Sequence, residues 1–151
     1  MSENQTPLQI MDKIYIACDH AGLELKQKLI ASRSDLPWED LGTTTSESVD
    51  YPDYADKLSK AMLGSENFGV LVCGSGQGIS IRANRHGHIR AAICWSEEVA
   101  KLARQHNDAN VISFGARTMD HGTCEKALEV FLNTPFEGGR HQKRVEKLSR
   151  L

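Results

Sequence analysis

Apolar and polar positions along this chain follow two alternating rhythms, and the alternation predicts an architecture. Lys13 to Ala17 is a β-branched run stopped by Asp19-His20-Ala21-Gly22, and Leu23 to Ser32 then carries Leu25, Leu29 and Ile30 at helical spacing. Trp38 to Leu41 is a weaker strand ending at Gly42 and a Thr/Ser-rich loop. Pro52 suits a helix start, with Tyr54, Ala55, Leu58, Ala61 and Met62 as its apolar face. Phe68 to Cys73 is almost wholly apolar, as expected of a central strand covered on both faces. Gly74 to Gly78 breaks it, and a short helix is predicted over Ile79 to Asn84.

The second half repeats the alternation. Ile89 to Cys94 reads as a fourth strand. Ser96 can cap a helix to about Gln105, with Glu97 and Glu98 in its first turn. Val111 to Phe114 is a fifth strand, and Asp120 can cap a helix through Leu132. Beyond Gly138-Gly139, His141 to Leu151 reads as a basic terminal helix. Five strands separated by helices predict one α/β domain over 13–151, a Rossmann-like three-layer sandwich with a five-stranded parallel sheet. Residues 1–12 read as a flexible polar extension, without the cationic start and apolar run of a signal peptide.

Composition narrows the partners. A formal net charge of -2 argues against nucleic acid or an anionic membrane surface as the main partner, so any anion site must be local. No apolar run approaches the ~20 residues that span a bilayer. Cys18, Cys73, Cys94 and Cys124 form no CxxC pair and lack zinc-ligand spacing to histidine, so they read as reduced thiols of a cytoplasmic protein without a metal.

In an open parallel sheet, ligands bind at the carboxyl ends of strands near the reversal of strand order. That rule selects Asp19 and His20 after the first strand, and Cys73-Gly-Ser-Gly-Gln-Gly78 after the third. Glycines at 74, 76 and 78 allow backbone N–H groups to face an anion or a developing oxyanion. The spacing is GxGxG, which is neither a dinucleotide fingerprint nor a P-loop. Such surroundings favour a thiolate able to act as nucleophile or base. Asp19 can either cap the next helix or bond sugar hydroxyls, and a protonated His20 can help hold phosphate. Arg140 and Arg144 share one face if a helix starts near Arg140, and with Arg117 they are candidate anion ligands. A solvated basic helix is the alternative. His106 ends a helix that carries it ~15 Å away from the strand carboxyl ends. If His106 and Cys73 act together, His106 must come from a second subunit.

Cys18-Asp-His20, Tyr51-Pro52, Cys73-Gly-Ser-Gly-Gln-Gly-Ile-Ser80, Arg104-Gln-His-Asn-Asp108, Phe114-Gly-Ala-Arg117 and Gly138-Gly-Arg-His-Gln-Lys-Arg144, in this order, resemble the ribose-5-phosphate isomerase B family. The resemblance runs from about Lys13 to Leu148. It implies an aldose–ketose isomerase of a small phosphorylated sugar, with no cofactor or metal. Cys73 is then the base that moves a proton between C2 and C1 through a cis-enediolate. Gly74, Ser75, Gly76, Gln77 and Gly78 form the loop that stabilises it, with Ser75 where threonine is common. Members with a glutamate base place it at the position of Gln77, which cannot serve as one. His106 opens the furanose ring with help from Asp19. Tyr51 and Asn107 contact substrate, and His20, Arg117, Arg140 and Arg144 bind mostly its phosphate. The resemblance also implies a homodimer or tetramer with shared sites.

Ribose 5-phosphate is the expected substrate, with allose 6-phosphate or galactose 6-phosphate as six-carbon alternatives. A non-catalytic nucleotide or phosphate module would use the same fold and loop, but it leaves Cys73, His106 and the tail arginines without a purpose. A redox sensor at Cys73 would lack a resolving cysteine nearby in sequence.

Overall fold

The computed structural model describes residues 5–150. Five parallel strands, β1 (Ile14–Cys18), β2 (Trp38–Asp40), β3 (Phe68–Cys73), β4 (Ala91–Ile93) and β5 (Val111–Gly115), form one sheet in the order β2-β1-β3-β5-β4. The helices are α1 (Pro7–Ile10), α2 (Leu23–Ser32), α3 (Tyr51–Ala61), α4 (Gln77–Ala83), α5 (Glu97–Asn107), α6 (His121–Asn133) and α7 (Gln142–Leu148). Side chains of successive strand residues point to opposite faces. Ile14, Ile16, Val70 and Val72 therefore pack with Leu25 and Leu29 of α2, Ala100 of α5 and Leu128 and Phe131 of α6. Tyr15, Ala17, Leu71 and Cys73 pack on the other face with Leu58 of α3 and Ile79 of α4. This is the expected three-layer single domain.

The caps expected from sequence form. Ser96 Oγ accepts the Val99 N–H at 3.1 Å, and Asp120 Oδ2 accepts that of Thr123 at 2.9 Å. β4 is shorter than the expected Ile89 to Cys94, because the Asn110 side chain takes a ladder position before it. Asn110 Oδ1 accepts the Arg90 N–H at 2.8 Å, and the Asn84 amide bonds both backbone groups of Ala91.

Both chain ends depart from expectation. Of the expected extension 1–12, residues 1–4 lie outside the described residues, but the remainder is docked. Pro7 is buried, Leu8 and Met11 pack on the core, and the Asp12 N–H donates to Asn67 Oδ1 at 3.3 Å. The terminal α-helix begins at Gln142. Arg140 sits one turn earlier, in a 3-10 turn over Gly139–His141 entered through positive φ at Gly138 and Gly139. The helical one-face relation between Arg140 and Arg144 is thereby replaced by a turn-to-helix junction.

Two buried cations are structural. Lys26, only 1 % exposed, donates to Asp40 Oδ1 at 2.7 Å and to the Thr43 carbonyl at 2.6 Å. The Arg104 guanidinium lies 4.5 Å from the Phe68 ring centre and donates to Thr134 O, Ala109 O and Asp108 Oδ1. Burial without such partners would be prohibitive.

Candidate active site

Strand order reverses between β1 and β3, and there the chain collects its reactive side chains. The two strands run in register with Cys18 opposite Val72, and the Asp19 N–H donates to the Val72 carbonyl at 3.2 Å. This bond sets the Asp19 loop beside the Cys73 loop. Asp19 is 6 % exposed, and its Oδ1 accepts the Gly22 N–H at 3.1 Å. The capping alternative is realised, and Asp19 also lines the cleft described below.

Cys73 closes β3 and faces Gly115 of β5 across the ladder. Gly76 adopts φ 78°, a left-handed conformation that disfavours side chains, and its N–H donates to Cys73 Sγ at 3.2 Å. The Gln77 N–H donates to Ser75 Oγ at 3.3 Å. The end of β5 stitches the loop from the other side, with the Ala116 N–H donating to Cys73 O and the Arg117 N–H to Gly74 O, both at 2.9 Å. Gly115 must lack a side chain here, because a Cβ would lie 2.6 Å from the Ser75 carbonyl.

A cleft of about 460 Å³ opens above the loop, lined by Asp19, Tyr51, Cys73, Gly74, Ser75, Gly78, Arg117 and Thr118. Thr118 was not anticipated; only its place beside Arg117 hinted at it. Gly76 is buried and Gln77 exposed, and neither is among the residues lining the cleft. His20 is next to Asp19, and its Nδ1 accepts the Val49 N–H at 3.1 Å. That bond occupies Nδ1 and leaves Nε2 for a second partner.

The four thiols are not equivalent. Burial pushes Cys18 up to about 11, Cys94 to about 12 and Cys124 to about 11. Cys73 alone among them lines the cleft and receives an amide of the glycine loop.

The remaining candidates gather elsewhere. His106, Asn107, Arg140 and Arg144 do not line the cleft. His106, one residue before the end of α5, stacks on His141 with ring centres 4.4 Å apart and planes 14° from parallel. Glu137 Oε1 lies 3.7 Å from His106 Nε2 and 3.8 Å from His141 Nε2. Burial, with Arg140 next and Arg144 among the lesser contributors, holds the His141 imidazole below its ordinary pKa. Glu137 and His141 were missed in the sequence, where Glu137 stands 31 positions from His106. A single chain thus carries two separate groups of candidate residues.

A larger hollow of about 530 Å³, lined by Met11, Phe68, Arg90, Arg104 and Phe136, lies elsewhere on the molecule. Its two arginines direct donors to Asp108 and to backbone carbonyls.

A thiol beneath main-chain donors, flanked by a carboxylate and an arginine at a parallel-sheet switch point, defines an enzyme suited to proton transfer on a small anionic substrate. A family model described as Ribose/Galactose Isomerase matches residues 14–148, and the chain belongs to that family. It is 43% identical over 142 residues to ribose-5-phosphate isomerase B of Escherichia coli, covering 92% of this chain and 95% of that one. A putative sugar phosphate isomerase of Rickettsia bellii is 44% identical over 138 residues, covering 89% and 96%. The solved ribose 5-phosphate isomerase of Thermotoga maritima superposes with a TM-score of 0.89 at 45% identity, covering 92% of this chain and 98% of that one. That of Anaplasma phagocytophilum gives 0.86 at 46%, covering 92% and 97%.

Proposed function

We propose that this isomerase interconverts ribose 5-phosphate and ribulose 5-phosphate through a cis-enediolate, with Cys73 as base. The observation that carries the proposal is the Cys73 sulfur at the floor of a cleft that also presents Asp19, Ser75 and Arg117. In the scheme, His106 protonates the ring oxygen as the C1–O4 bond breaks, and Asp19 accepts the proton of the anomeric hydroxyl. The Cys73 thiolate then removes the C2 proton, and the electron pair forms the C1–C2 double bond with negative charge on O1. Main-chain N–H groups of Gly74 to Gly78 and the Ser75 hydroxyl stabilise that charge. A proton passes from O2 to O1, the C2 ketone forms, and the Cys73 thiol returns its proton to C1. Tyr51 and Asn107 hold sugar hydroxyls.

His20, Arg117, Arg140 and Arg144 hold the phosphate, away from the reacting carbons, which raises the effective concentration of substrate at the base. No step requires a metal or cofactor.

The second group reaches the cleft from a partner subunit. α5 is 11 residues long, a span of roughly 16 Å, which supports a separation of His106 from its own Cys73. Ile81 of α4 and Trp95 after β4 are 65% and 63% exposed, and Leu102 of α5 is also exposed. These exposed apolar side chains suit burial against a second copy in a homodimer, or in a tetramer built from dimers. Among the described residues no helix is long and apolar enough to cross a membrane. The four unpaired thiols fit a reducing compartment, and the cytoplasm is the proposed location.

The test is conversion of ribose 5-phosphate by purified, chelator-treated enzyme, with Cys73→Ala alongside. Activity in the wild type and loss by at least about a thousandfold in the folded variant are expected. Full activity of Cys73→Ala would remove the base. Rates on allose 6-phosphate and galactose 6-phosphate, run in parallel, place the substrate at five or six carbons.

A further inference from the structure

We propose that Glu137 and His141 are positioning residues for ring opening, fixing the attitude of the His106 imidazole; this rests on the assignment of ring opening to His106. The three side chains come from different segments and are tied together by the backbone. The Glu137 N–H donates to the Gln105 carbonyl at 3.1 Å, which pins the carboxylate to the last turn of α5. The His141 N–H donates to Gly138 O at 3.0 Å, which pins the second ring in its turn. One carboxylate oxygen therefore stands within 3.8 Å of both Nε2 atoms. His141 is only 8 % exposed, so its ring is a fixed plate against which His106 stacks. Rotation of His106 about its side-chain bonds would break the stack and withdraw Nε2 from the carboxylate.

The charges facing the pair make its members unequal. Burial, Arg140 and His106 itself oppose a proton on His141, and Glu137 only partly offsets them. Arg144 adds to that opposition. His141 is thereby biased toward its neutral form.

The same atoms lie within 4.8 Å of one another, a separation at which a metal ion would be considered. The rings are 14° from parallel, so their lone pairs point side by side rather than at one centre. Arg140 and Arg144 add positive charge that disfavours a divalent cation. The arrangement suits holding one ring in a fixed attitude.

Ring opening can be separated from enolisation with 4-deoxyribose 5-phosphate, which lacks the hydroxyl that closes the furanose. Glu137→Gln, His141→Asn and His141→Phe are assayed on this acyclic aldehyde and on ribose 5-phosphate. Glu137→Gln and His141→Asn are expected to lose about ten- to a hundredfold in kcat on ribose 5-phosphate. Both should stay within about twofold of wild type on the acyclic sugar, which also reports that the site is folded. His141→Phe, which keeps a stacking plate, should recover part of the loss. Equal effects on the two sugars, or none on either, overturn the inference. His106→Ala is the control. If it too treats both sugars alike, the ring-opening assignment fails and this inference with it; if it separates them and the other variants do not, only this inference fails.

Discussion

The Gly76 amide donates to the Cys73 sulfur at 3.2 Å, from a residue three positions along the same loop. The loop proposed to stabilise negative charge on substrate oxygen thus also directs an amide at the sulfur. In the proposed reaction the base and the developing oxyanion would face donors of one loop, with little rearrangement between them.

One consequence concerns thiol reactivity. Cys18, Cys94 and Cys124 are buried and held at about 11 to 12, so they remain protonated at neutral pH. Iodoacetamide should alkylate Cys73 at least about tenfold faster than the other three, with inactivation tracking that single event. Peptide mapping by mass spectrometry checks this, and ribose 5-phosphate should slow the reaction. Prior labelling of another thiol in the folded protein would contradict it.

Gly78 provides a test of the Tyr51 wall. A Cβ on Gly78 would lie 2.4 Å from the Tyr51 ring, which is 40% exposed and free to swing outward. Gly78→Ala should therefore keep the fold and raise KM several-fold, with a smaller change in kcat. Steady-state kinetics beside a thermal melt distinguish this from a general loss of structure.

Stability at low pH should report the Asp56 clamp between α3 and α4. Hydrogen bonds from Arg82 and then His86 lower the Asp56 carboxyl from 3.8 to about 2. A depressed carboxylate contributes stability above its unfolded pKa and loses it as pH falls through the folded one. Asp56→Asn should cost about 1 kcal/mol at neutral pH, the scale of a largely solvated pair. The gap from wild type should narrow between pH 3.8 and about 2. Urea midpoints measured across that window test the sign; a gap that widens on acidification would refute it.

Sharing of sites between subunits predicts complementation. Cys73→Ala and His106→Ala are each inactive alone, but mixed dimers contain one site with both residues intact. Activity should return to roughly a quarter of wild type when equal amounts exchange at random, since half the dimers are mixed and each has one working site of two. No recovery despite subunit exchange, measured by mass spectrometry, would place Cys73 and His106 in one chain.

The order of strands and helices was legible because burial imposes simple periodicities. Phe68 to Cys73 is covered on both sides and is apolar throughout, and Ser96 and Asp120 mark helix starts by chemistry that acts over three residues. The cleft was legible for a related reason: glycines after a buried strand have few other uses. The Glu137–His141 group was not, because its members meet only after the chain has passed through α6 and the turn at Gly138. Pro7, Leu8 and Met11 were similarly obscured, being too few to show a rhythm yet enough to dock a single helical turn.

Gly76 and Gly115 interlock so closely that the Cys73 loop and the end of β5 form a single rigid casting. A Cβ on Gly76 would lie 3.0 Å from the Phe114 backbone, and the Ser113 hydroxyl donates to Gly76 O at 3.0 Å. Neither strand end can lengthen, tilt or acquire bulk without dislodging the other. Evolution toward a sugar of different size would therefore proceed on the facing wall, with Gly76 and Gly115 retained beneath it.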